Sequence, residues 1–231
     1  MSALHPHVAF RWANTFDTRL LEADLAIALE QNWHNHYNAS DYSGDWKIIA
    51  LRSENGNESS ITAKDSNNYQ DTELLSHCLY FKQILEGFQC EKQAVRLMQL
   101  APQSKIKTHR DYSLGYADGI FRIHIPIRTN SGVSFVVDGH HIPMKEGECW
   151  YANFNLPHSV ENMGELSRIH LVIDCIRNAW SDDVFAAAGF DLSDPDGIPI
   201  RTEDIPKIIA QLEMMDTDAS RGIIEELKAK L

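Results

Sequence analysis

Apolar positions recur at helical spacing from Leu20 through Leu21, Leu25, Ala28 and Leu29 toward Trp33, which predicts an amphipathic helix with Asp17 as its N-cap. Trp46–Arg52 (WKIIALR) reads as a strand, and residues 53–68, rich in Asn, Ser and Glu, read as a surface loop. A second helical pattern opens at Asp71, runs through Leu74, Leu75, Cys78, Leu79 and Leu85, and stops at Gly87. Between Ala94 and Ile176 the texture changes to short strand-like runs: AVRLMQL, FRIHIPI, VSFVV, GECWYANF and RIHLVID. They alternate with turn signals at Ala101-Pro102-Gln103-Ser104, Thr129-Asn130-Ser131-Gly132, Asp138-Gly139, Lys145-Glu146 and Asn162-Met163-Gly164. Strands at this spacing predict an antiparallel sandwich or barrel. Helical patterning returns after Asn178, with Ser181 as a cap and further segments at Ile205–Met215 and 219–231.

At 231 residues the chain is long for one sandwich and short for two independent domains. It reads as a single domain, 1–231, whose helices and strands at 1–93 support a core at 94–176, followed by a helical extension at 177–231. A hydrophobic content of 43% with 23% charged residues allows a buried core. The formal net charge of -12 argues against nucleic acid as a partner, because phosphate backbones demand a basic face, and against an anionic membrane surface, while leaving room for a local basic pocket for an acidic small molecule.

The four cysteines, Cys78, Cys90, Cys149 and Cys175, form no C-x-x-C pair and read as small buried hydrophobes of a reducing compartment. The first ten residues lack the pattern of a signal peptide, and no apolar stretch approaches the roughly 20 residues of a membrane span. A cytoplasmic, soluble protein is the expectation. The apolar C-terminal helices offer a contact for a homodimer.

Chemistry enters with His109-Arg110-Asp111, followed by His158 and Arg168. Two imidazoles and one carboxylate suit a mononuclear non-haem iron(II) site that keeps coordination positions open. His109 and Asp111 are two apart, so an extended segment points both to one side. Among 11 histidines a lone His-x-Asp is a weak signal, and a lone His158 would read as a turn histidine. A three-residue turn at 162–164 would place His158 opposite Arg168 and Glu161 opposite Glu165. An arginine beside a metal-binding histidine makes sense if an acidic co-substrate lies between or beyond them.

The tripeptide Arg-Ile-His occurs twice, at Arg122-Ile123-His124 and Arg168-Ile169-His170. Alternation puts Arg and His on one face and aliphatics on the other, as in the wall of an anion pocket. His140-His141 reads as an exposed turn pair, and His34 and His36 as packing or capping residues near Trp33 and Tyr37. Trp150 and Tyr151 read as core. Arg52, Tyr112, Tyr116 and Arg128 are further candidate substrate contacts. Nucleotide-binding glycine motifs and a G-x-S-x-G nucleophile are absent.

The stretches VRLMQLAPQSKIKTHRDY, FRIHIPIRTN, EGECWYANFNLPHSVEN and RIHLVID, in this order over residues 94–175, resemble the aspartyl/asparaginyl β-hydroxylase family of Fe(II)/2-oxoglutarate dioxygenases. The likeness is strongest to its bacterial proline cis-4-hydroxylase-like members. The resemblance implies a mainly β fold with flanking helices around a double-stranded β-helix (jelly-roll, cupin-like) core. It implies Fe(II) on His109, Asp111 and His158, and 2-oxoglutarate with its distal carboxylate on Arg168. His124, and with it Arg122, would serve the other carboxylate or the substrate. O2 would be the oxidant, and the substrate a free amino acid or close derivative, proline-like first. The alternatives are a hydroxylase of side chains in a peptide or protein, a cupin-like metal enzyme with no use for Arg168, or a metal-free binding jelly roll.

Overall fold

The alternating stretches of the middle of the chain become strands because their β-branched and aromatic residues can bury one face while the other lines an interior. A computed structural model of the chain describes residues 4–62, 66, 68–195, 205–215 and 218–228. The N-terminal part holds β1 (Ala9–Thr15), α1 (Thr18–Leu29), β2 (His34–Asn35), β3 (Tyr42–Ser43), β4 (Trp46–Glu54), β5 (Tyr69–Asp71), α2 (Glu73–His77) and α3 (Leu79–Gly87). The middle holds β6 (Lys92–Leu100), β7 (Ser104–His109), β8 (Ile120–Arg128), β9 (Val133–Val137), β10 (His140–His141), β11 (Glu148–Ala152), β12 (His158–Asn162) and β13 (Arg168–Ile176). The helices α4 (Ala179–Ala187), α5 (Ile205–Met215) and α6 (Asp218–Lys228) follow.

Two antiparallel sheets result: a larger one ordered β1-β11-β8-β13-β6-β4-β2, with β5 beside β4, and a smaller one ordered β10-β9-β12-β7-β3. Each side of the larger sheet packs differently. Phe121, Ile123, Ile125, Ile169, Leu171 and Ile173 join Leu21 and Leu25 of α1, Phe81 of α3 and Phe185 of α4 in one core. Met98, Trp150 and Val172 join Ile106, Phe135, Val137 and Val160 of the smaller sheet in a second core between the sheets. The mainly β, jelly-roll architecture expected from the sequence is the one found. The chain divides into two compact units, 1–196 and 197–231, and in the second α5 and α6 pack together.

The expected β12–β13 hairpin does not form. β12 lies in the smaller sheet, where His158 faces His109 of β7 and Val137 of β9. β13 lies in the larger sheet, where Arg168 faces Leu100 of β6. The cause is Asn162, fully buried, whose side-chain amide donates to the carbonyls of Leu100 (3.0 Å), Ala101 (3.2 Å) and Leu166 (2.9 Å). These bonds hold the chain as it crosses from one sheet to the other. Glu161 accordingly pairs with Lys105 at 2.9 Å and not with a strand bearing Glu165.

Other boundaries also differ. The helix expected from Asp71 to Gly87 is two helices, broken at Cys78 (φ -99, ψ 75), and its N-cap is Thr72. The cap of α4 is Asn178, with Ser181 returning a bond to it in a capping box. β1 and β7 were not expected as strands. β7 has one buried aliphatic, Ile106, too few for a visible alternation. Ala63, Lys64, Asp65 and Asn67 of the expected loop, Met1 to Ala3, and residues 229–231 of the expected last helix lie outside the described residues. All four cysteines are free and buried, as their spacing implied. Among the described residues no helix is long and apolar enough to cross a membrane.

Candidate metal centre

β7 ends at His109 and β12 begins at His158, and the antiparallel register sets the two opposite each other. Their ring centroids are 4.2 Å apart. Asp111 lies just past the strand, held by its N–H donating to the Phe154 carbonyl at 3.0 Å. Its Oδ1 is 3.6 Å from His109 Nε2. One ligand atom from each of the three residues lies within 4.8 Å of the other two. His109 Nδ1 donates to Lys107 O at 2.8 Å and His158 Nδ1 to Leu156 O at 3.0 Å. Each proton is thereby held on Nδ1, which leaves the Nε2 lone pairs for a metal.

The charge states also fit. Burial pushes the His158 imidazole down to about 4, so it is neutral at pH 7. For Asp111, burial acts upward, but Arg122, His158 and His109 outweigh it and hold the carboxyl below its usual value. Two imidazoles with their Nε2 lone pairs turned away from backbone partners, together with an ionised carboxylate, form a donor set of the right type for ferrous iron with open positions.

Behind Asp111 stands a ladder of charges across three strands. Arg122 Nη1 donates to Asp111 Oδ2 at 2.7 Å. The same guanidinium forks onto Asp174, Nε to Oδ1 at 2.5 Å and Nη2 to Oδ2 at 3.1 Å. Asp174 lies opposite Arg122 in the β13–β8 register. From β6, Arg96 Nη2 donates to Asp174 Oδ2 at 2.5 Å. Arg96, Arg122 and Asp174 are all buried. Burial acts against charge on Asp174, but the two guanidiniums outweigh it and lower its pKa.

Arg168 is different. It is 2% exposed, and no acidic group among the described residues pairs with it. Burial lowers its pKa to about 9, which still leaves it charged at pH 7. Its Nη2 donates to His170 Nδ1 at 2.9 Å, and its Nε is buried without a partner. His124 lies beside this pair, with Nδ1 3.3 Å from His170 Nδ1 and a buried, unpartnered Nε2. Burial and the Arg168 charge keep both imidazoles neutral.

A cavity of about 710 Å³ brings these groups together: His109, Asp111, His158, Arg122, His124 and Arg168 all line it. Of the further candidates, Tyr112 also lines it. Arg52 is tied to Asp71, Tyr116 bonds Ser181 and Asp182, and Arg128 forks onto Glu22; none of the three reaches the cavity. His140 and His141 follow the tight turn at Asp138 and Gly139, where φ is positive, but they form β10, and only His141 is exposed while His140 is half-buried.

His36 does pack, stacked 3.6 Å from Trp46, but it lines the cavity as well. The sequence reading missed Arg96, Asp174 and Trp46 as cavity residues. Asp174 had a signal: in RIHLVID it shares a face with Arg168 and His170.

The family model described as aspartyl/asparaginyl β-hydroxylase matches residues 17–178. L-proline cis-4-hydroxylase of Rhizobium meliloti (strain 1021) is 25% identical over 223 residues, covering 94% of this chain and 79% of that protein. A 2OG-Fe(II) oxygenase family oxidoreductase from Burkholderia pseudomallei superposes with a TM-score of 0.50 at 16% identity, over 71% of this chain and 81% of that one. A non-haem α-ketoglutarate-dependent epimerase from nogalamycin biosynthesis also gives 0.50, at 9% identity, over 74% and 79%. The two structural likenesses show a shared double-stranded β-helix.

Proposed function

The chain belongs to the aspartyl/asparaginyl β-hydroxylase family, and on that premise we propose that it hydroxylates an unactivated C–H bond of a free amino acid or close derivative, with succinate and CO2 as co-products. As an enzyme it is a 2-oxoglutarate-dependent non-haem iron dioxygenase. A proline-like ring is the leading substrate, because the similar Rhizobium protein is an L-proline cis-4-hydroxylase.

The observation that carries the reading is the buried, acid-free guanidinium of Arg168 in the same cavity as the His109, Asp111 and His158 group. A buried cation without a counter-ion is costly, and a bound carboxylate is the bidentate match that answers it. His109, Asp111 and His158 would hold Fe(II), which together with 2-oxoglutarate and O2 would supply the oxidising power for the C–H bond.

The protein's share is binding, orientation and exclusion of water. Arg168 takes the distal carboxylate of 2-oxoglutarate. His124, whose Nδ1–H faces His170 Nδ1, leaves an unpartnered Nε2 in the cavity that accepts a hydrogen bond from the substrate. His109 and His158, locked by Lys107 O and Leu156 O, present fixed lone pairs. Arg122 steadies Asp111. Phe135 and Phe154 wall the cavity with hydrocarbon, which keeps bulk water from the reacting centre. A cavity of about 710 Å³ falls within the roughly 300–1,000 Å³ that enclose small ligands, which favours a free amino acid over a protein side chain.

The test is a screen of free amino acids and short peptides for stimulated 2-oxoglutarate turnover, with products identified by mass. The reading expects a cyclic amino acid to give a product heavier by one oxygen. Stimulation by peptides alone would overturn the free-amino-acid assignment.

A further inference from the structure

Asp174 touches none of the three proposed metal ligands, yet the charge ladder ends on one of them. We propose that Asp174 is a positioning residue for the metal centre, acting through Arg122 to fix how Asp111 presents its carboxylate. The inference rests on reading His109, Asp111 and His158 as the metal ligands.

Asp111 lies beyond the end of β7, where no ladder of backbone bonds sets its side chain, and that side chain is 34% exposed. Left alone it would rotate. Arg122 removes that freedom by binding Oδ2 at 2.7 Å, while Oδ1 faces His109 Nε2 at 3.6 Å. One oxygen is tied back and the other is offered.

An arginine on a metal's carboxylate ligand is ordinarily a competitor for it. Its long side chain also has several rotamers. Asp174 answers both problems. The fork onto its two oxygens, at 2.5 and 3.1 Å, fixes the guanidinium plane and leaves Nη1 as the corner that reaches Asp111. Its negative charge offsets that of Arg122, so Asp111 keeps electron density for a metal.

Asp174 is itself fixed from the other side by Arg96 Nη2 at 2.5 Å, and it is 1% exposed at the centre of the larger sheet. Two guanidiniums and two carboxylates leave the quartet neutral before a metal arrives. The register of β8, β13 and β6 places these groups on the cavity face. The chemistry is an outer partner that tunes a metal ligand without binding the metal.

Co(II) binding to the full chain, read by chelator competition and by the visible spectrum, tests the inference. Asp174→Asn should weaken Co(II) binding by about 10- to 100-fold, the usual range for losing an outer-shell partner. The decisive arm is a double-mutant cycle. In an Asp111→Ala background, Asp174→Asn should cost nothing further, because the carboxylate through which it acts is gone.

An unchanged affinity in Asp174→Asn would overturn the inference. So would an equal loss with and without Asp111, which would mark a merely structural role. If Asp174→Asn does not fold, Arg122→Lys carries the same cycle, since one ammonium cannot hold both carboxylates. Failure of the unsubstituted protein to bind Co(II) would instead overturn the metal-centre reading beneath it.

Discussion

Arg168 brings a full charge into the space between the sheets, where burial lowers its pKa to about 9 and no carboxylate among the described residues answers it. Replacing it with alanine should raise the 2-oxoglutarate requirement by about 10²-fold or more, from the 2–5 kcal/mol lost when one member of a buried charge pair is truncated. Co(II) affinity should change little, because the ligands are elsewhere. Titration of each variant with 2-oxoglutarate checks both halves, and an unchanged requirement would remove Arg168 from the site. Arg168→Lys should recover part of the loss, as a point charge without the fork. This residue was legible in the sequence because Arg-Ile-His alternation put it on a face shared with His170. Arg96 was not, because the one charge within AVRLMQL reads as an exposed position. Asp174 shares a face with Arg168 and His170, but only the pairing of three strands shows the charges meeting.

Strands and helices were legible wherever the apolar period was long. Val133–Val137 and Ile205–Met215 appear with the expected bounds, and the runs FRIHIPI and RIHLVID differ from their strands by at most two residues at an end. What local pattern could not show is which sheet a strand joins. The 162–164 turn looked like a hairpin, but the buried Asn162 amide sends the chain to the opposite sheet through three carbonyl bonds. Asn162→Ala should therefore destabilise the fold by about 2 kcal/mol, the order expected when buried carbonyls lose their donor. Denaturant unfolding checks this, and a loss below a few tenths would mean the crossing is held by something else. Asn178→Ala, which removes the cap of α4, should cost about 1 kcal/mol by the same measurement.

At the scale of the molecule, a chain of net charge -12 gathers Arg96, Arg122 and Arg168 around one cavity and neutralises two of them internally. Burial also holds imidazoles neutral in and beside it: His158 and His36 fall from 6.5 to about 4, and His124 and the neighbouring His170 fall well below 6.5. The unfolded chain takes up protons at His158 and His36 near 6.5, while the folded chain does not until about 4, and His124 and His170 act in the same direction. The stability they contribute is present above 6.5 and is lost as pH falls toward about 4. Urea midpoints of the metal-free protein should drop across that window, and a flat profile would contradict the burial of these rings.

The proposed dioxygenase activity requires a metal and a keto acid to meet in this cavity. Anaerobic visible absorption tests that meeting directly. Fe(II) and 2-oxoglutarate together should give a weak charge-transfer band that needs both components and vanishes in His109→Ala. Absence of the band from the unsubstituted protein, with both components in excess, would contradict the account.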